Sequence, residues 1–153
     1  MDRSEQAAAN FYKGYNCAQS VVLAFADLTD MEPETLSRAA CSFGGGMGRL
    51  REVCGAVSGM FMVCGLLCGY DGPETGAPKA EQYARVQELA HRFEAEHGSI
   101  VCRELLGRKR EAPTPEARTE AYYAKRPCPQ LIADAARILE RLLIEEGKLS
   151  PEA

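Results

Sequence analysis

Seven cysteines in a chain of 153 residues are the side chains best suited to chemistry, and their surroundings divide them into two groups. Cys17, Cys54, Cys102 and Cys128 each fall within a few residues of an expected helix start. They are approached through Gly14-Tyr15-Asn16, a glycine-rich loop, Gly98-Ser99 and Pro127 respectively. A helix N-terminus offers unpaired N–H donors and positive potential, and both stabilise a thiolate or a thiolate-ligated cluster. Cys41, Cys64 and Cys68 lie inside or at the end of apolar helical stretches and read as small buried hydrophobes. Cys64 and Cys68 share a helix face, but Cβ atoms about 6 Å apart are too distant for an unstrained disulfide.

Four thiolates can do two kinds of redox-related work. They are the ligand set of an iron–sulfur cluster and also of structural zinc. Alternatively they form metal-free couples, with Cys54 as nucleophile, its pKa lowered by the helix start, and Cys17, Cys102 or Cys128 resolving it. The four are far apart in sequence and include no Cys-x-x-Cys knuckle, so either site needs several separate elements to converge. Beside Cys54, the loop Phe43-Gly-Gly-Gly-Met-Gly48 can bring bare backbone amides close to an anion. Gly44, Gly45, Gly46 and Gly48 are therefore expected to floor the site and hydrogen-bond cluster sulfurs. A third reading makes the cysteines packing in a helical module that binds a partner.

The elements that must position these residues are helical throughout. Asp2 to Lys13 reads as a first helix ended by Gly14, Ala18 to Leu28 as a second, and Pro33 to about Cys41 as a third. Val53 to Tyr70 carries no charge and reads as a central helix apolar on all sides. Asp71 to Pro78 is a turn-rich connection. Lys79 to His97 has apolar residues at helical spacing, and Ile100 to Leu106 is a short piece closed by Gly107. The 107–115 connection is the part expected to move most. Helices from about Glu116 to Lys125 and from Leu131 to Glu146 follow, then a frayed tail from Lys148. No stretch alternates with period two. The expectation is a single all-α domain over 1–153, with five to seven helices around the central one.

Composition narrows the partners. A net charge of −4 and a pI near 5.3 oppose nucleic-acid binding. The uncharged Val53–Tyr70 run is diluted by glycine and cysteine, so no membrane span is expected. No leader-like segment opens the chain, and the odd cysteine count opposes a disulfide framework, so a reducing cytoplasmic compartment is expected. His91 and His97 read as solvated. Arg49 and Arg51 read as charges bounding an apolar helix, or as contacts for an anionic substrate. No Ser/His/Asp set or carboxylate pair supports hydrolysis.

Four segments together resemble a known family. Tyr15-Asn-Cys-Ala18, Cys54-Gly-Ala-Val-Ser-Gly59, Cys102-Arg-Glu-Leu-Leu-Gly107 and the late Cys128 are similar to the C_GCAxxG_C_C family of redox-active proteins. The resemblance covers essentially the whole chain, and its four defining cysteines correspond to Cys17, Cys54, Cys102 and Cys128. It implies a redox role with a redox partner protein. Related domains accompany c-type haem modules in split-Soret cytochromes, where an iron–sulfur site has been suggested. This chain has no Cys-x-x-Cys-His, so no covalent c-type haem of its own is expected. Electron transfer through a cluster leads, zinc ranks below it, and the thiol couple is the alternative.

Overall fold

The first two helices begin where short polar side chains close on their own backbone. Asp2 accepts the Glu5 N–H while the Glu5 side chain accepts the Asp2 N–H, which starts α1 (Arg3–Tyr12). Asn16 and Gln19 make the same reciprocal pair at the start of α2 (Cys17–Leu23). Each such box satisfies two amide groups that a bare helix end would leave unpaired. α2 is shorter than the Ala18–Leu28 expected, because it tightens into a 3-10 turn over Ala26–Leu28. The structure is a computed structural model describing residues 2–73 and 76–151.

Six further helices complete the fold: α3 (Pro33–Ala40), α4 (Gly55–Cys68), α5 (Ala77–His97), α6 (Cys102–Leu106), α7 (Glu120–Lys125) and α8 (Cys128–Glu145). Among the described residues there is no strand. The one β-type pairing is an isolated antiparallel bridge between Val53 and Val101. The all-α expectation is borne out, with one helix more than the expected range. Part of the Asp71–Pro78 connection, residues 74–75, and the last two residues of the tail lie outside the described residues. Within the tail, Leu149 packs against the core.

α1 lies along α8, and α2 lies along α4, with α8 also touching α2, α4 and α5. Their shared core holds Phe11, Phe25, Phe93, Met60, Ile132 and Leu139, each effectively without solvent contact. Burying each such side chain contributes roughly 1.5–3 kcal/mol. α4 departs from the expectation of a helix surrounded on every side. Gly55 to Met60, Val63 and Cys64 are buried, but Gly65 is exposed and Leu66 is 45% exposed. Beyond Cys64 the cover is one-sided: Leu67 and Cys68 still pack against the core while Gly65 and Leu66 face solvent. No helix of the described residues is long and apolar enough to cross a membrane.

Candidate redox site

All four helix-start cysteines occupy a helix terminus in the fold. Cys17, Cys102 and Cys128 are the first residues of α2, α6 and α8, and Cys54 is the N-cap of α4. They line one cavity of about 320 Å³. The Asn16–Gln19 box fixes where α2 begins and so places Cys17. The Val53–Val101 bridge draws Cys54 and Cys102 together: the Cys54 N–H donates to the Ile100 carbonyl at 2.7 Å, and the Cys102 N–H to the Glu52 carbonyl at 2.5 Å. Pro129, the second residue of α8, suits a helix start because its missing N–H is not needed there.

The glycine loop forms another wall of the cavity through Gly44, Gly45, Gly46 and Gly48. It is a left-handed turn: Gly45, Gly46, Met47, Gly48 and Arg49 all have positive φ. Gly46 shows why the sequence needs glycine there. A Cβ on it would lie 2.6 Å from the Cys102 Cβ and 2.8 Å from the Arg51 Cα. At Gly46 the loop backbone therefore approaches Cys102 as closely as atoms permit.

The thiols differ in environment. Cys17 is half-buried, whereas Cys54, Cys102 and Cys128 are buried. Hydrogen bonding from the neighbouring Cys17 thiol favours the Cys128 thiolate and lowers it to about 7, with help from Arg126, Arg51 and Arg118 against the cost of burial. The same interaction, then burial, pushes Cys17 up. Cys54 does not have the lowered pKa expected of it. Burial pushes it up to about 12, and the amides of Ala56 and Val57 offset only part of that. A helix terminus stabilises a thiolate only while solvation is not lost faster than the dipole compensates, and at Cys54 desolvation wins. Cys102 is also raised by burial, opposed by Arg51, whose Nη1 donates to its sulfur at 3.6 Å.

Neither arginine merely bounds the apolar helix. Arg51 is 3% exposed and pairs with Glu111 at 2.8 Å as well as touching Cys102. Arg49 pairs with the same carboxylate at 2.7 Å. Arg118 and Arg126 also line the cavity. Nothing local in the sequence marks these two, since each sits in a short polar segment and reaches the site only through the fold.

The other cysteines divide. Cys64 is buried as expected, and Gln82 Nε2 lies 3.7 Å from its sulfur. Cys41 corrects its expected place in the core. It is exposed, because α3 ends there and the chain turns away, and it lines the cavity mouth. His97 is not solvated: it lies against Phe93, with Nε2 3.0 Å from Asp134.

The donor set can be tested against a single ion. Zinc–sulfur bonds of 2.3 Å place tetrahedral thiolates about 3.8 Å apart. Among the described residues, no three of these sulfurs lie within 4.8 Å of one another; the trio of ligand atoms that does is Glu96, His97 and Asp134. The four sulfurs are therefore not gathered as tightly as one tetrahedral zinc requires.

An all-α domain that brings four sulfurs to one cavity at four helix starts defines a class of cysteine-centred helical protein. The chain belongs to the C_GCAxxG_C_C family, whose model, described as "Putative redox-active protein (C_GCAxxG_C_C)", matches residues 15–142. Neither the curated proteins nor the solved structures yielded a match.

Proposed function

We propose that Cys17, Cys54, Cys102 and Cys128 hold an iron–sulfur cluster that exchanges electrons with a partner protein. The observation that carries this reading is the convergence of all four sulfurs on one cavity, although they come from four helices distant in sequence. When bound, such a group supplies one-electron chemistry. The chain's own residues supply the rest. Each helix terminus places positive potential beside a thiolate. Arg51, Arg118 and Arg126 add full positive charges around Cys128, and Arg51 donates to the Cys102 sulfur. Burial of three of the four thiols excludes water, which protects a cluster from hydrolysis and shapes its potential.

The test is anaerobic purification followed by a visible spectrum and iron, sulfide and zinc analysis. A brown protein containing iron and sulfide is expected. Stoichiometric zinc without colour would make the site structural.

A second reading is favoured by the closeness of Cys17 and Cys128, which line the same cavity and shift each other's titration. A close pair with one lowered thiol is the starting point for a reversible disulfide. In that reading Cys128 replaces Cys54 as nucleophile, because Cys54 is the group that burial keeps protonated. Colourless, metal-free protein that gains a reversible disulfide on oxidation would select it.

A further inference from the structure

The segment between α6 and α7, residues 107–119, crosses the cavity and adds Pro113, Pro115, Glu116 and Arg118 to its wall. Its attachment differs in kind from that of the rest of the chain. Between Cys102 and Cys128 no apolar residue is fully buried. The strap is held by charge and by a few backbone contacts. Glu111 pairs with Arg49 and Arg51, and its N–H donates to the Arg49 carbonyl at 3.0 Å. Arg49 Nε donates to the Ala112 carbonyl at 2.8 Å. Glu116 pairs with Arg108 and Arg126. Arg118 donates to the Phe11 and Tyr15 carbonyls at 2.6 and 2.9 Å and lies 4.2 Å over the Phe11 ring.

We infer that this strap is a lid which opens locally to expose the four-cysteine cavity, and that its arginine–glutamate pairs set how often it opens. Core helices cannot part without exposing apolar surface, so they open only near the global unfolding free energy. The strap loses little apolar burial on opening, so its ion pairs are its main tethers. Those through partly exposed arginines are weak, and those to the largely buried side chains of Arg51 and Arg126 hold it more firmly. Salt screens those pairs, so opening rises with ionic strength. Gly107, at φ +66 just after α6, marks one end where the chain changes direction. Closed, the strap shields Cys54, Cys102 and Cys128; open, it admits a redox partner. The inference takes the cavity to be the redox site, but backbone exchange in the strap reports on the lid whether or not a cluster is bound.

The experiment is hydrogen–deuterium exchange by mass spectrometry on the full chain as purified, at low and high KCl. The strap amides should exchange far faster than those of α4 and α8, and faster again at high KCl. Glu111→Gln removes the carboxylate shared by Arg49, Arg51 and Arg108 and should speed strap exchange by about tenfold or more, with little change in melting temperature. Glu146→Gln, which removes a single pair with Arg85 on another face, should leave strap exchange unchanged. Strap exchange as slow as that of α8, indifferent to salt, or equal in the two variants would overturn the proposal.

Discussion

Cys17 and Cys128 are neighbours at the starts of α2 and α8, and they shift each other in opposite directions, Cys17 upward and Cys128 downward. Their proximity predicts the product of oxidation. In protein stripped of metal under reducing conditions and then exposed to mild oxidant, the first disulfide should join Cys17 to Cys128. Peptide mapping without reduction checks this. A first bond involving Cys64 or Cys68 would mean that the pair is not the most reactive contact.

The sorting of cysteines can be tested by substitution. Cys54→Ser should abolish iron uptake, since it removes one of four sulfurs facing the cavity. Cys64→Ser lies outside the cavity, among core side chains, and should leave iron content intact. Equal losses in the two variants would show that iron content follows folding and not ligation.

Much of this site was legible in the sequence because it is built from local signals. Glycine, proline and polar residues before a cysteine mark helix starts, and each of the four starts holds within a few residues. The Asn16-x-x-Gln19 box was readable too, and would have placed Cys17 at the first position of α2. What local signals cannot carry is relative burial. Cys41 and Cys64 both lie among apolar neighbours in sequence, yet one is exposed and the other buried, because neighbouring helices cover only part of the surface. The raised Cys54 has the same origin: the dipole is local, but desolvation comes from the other walls. Arg118 and Arg126 were invisible because their role depends on where a long connection lies.

The carboxylates of the strap predict a pH dependence with a definite sign. Burial raises Glu111, but Arg108, Arg51 and Arg49 outweigh it and hold the group below its ordinary 4.5. Glu116 is lowered likewise against burial, by Arg126 and Arg108, with Glu111 opposing. A folded-state pKa below the unfolded one means stability that is complete above the ordinary carboxylate value. It is lost as pH falls through the lowered values. Strap protection in hydrogen exchange, corrected for intrinsic rates, should therefore be flat from neutral pH down to about 5 and fall below it. Glu111→Gln should flatten that acid limb. An unchanged limb in the variant would assign the acid sensitivity to other groups.

Close approach of the glycine turn to Cys102 gives the sharpest structural prediction. Gly46 and Gly107 have nearly equal positive φ, +68 and +66, so an alanine at either pays a similar backbone cost of about 1–2 kcal/mol. They differ in what the new Cβ meets. At Gly107 there is nothing within 4 Å, whereas at Gly46 it meets Cys102, Arg51 and the Glu52 amide at 2.6, 2.8 and 2.9 Å. Two of those three are backbone atoms held by the Val53–Val101 bridge and its flanking hydrogen bonds, so they cannot swing aside. Overpacking of this kind adds about 1–3 kcal/mol. Urea denaturation should find Gly46→Ala less stable than Gly107→Ala by that margin. Only Gly46→Ala should also lose iron, because the collision displaces Cys102 from the cavity wall. Equal destabilisation by the two alanines would show that the turn yields, and that its contact with Cys102 does not hold the sulfur in place.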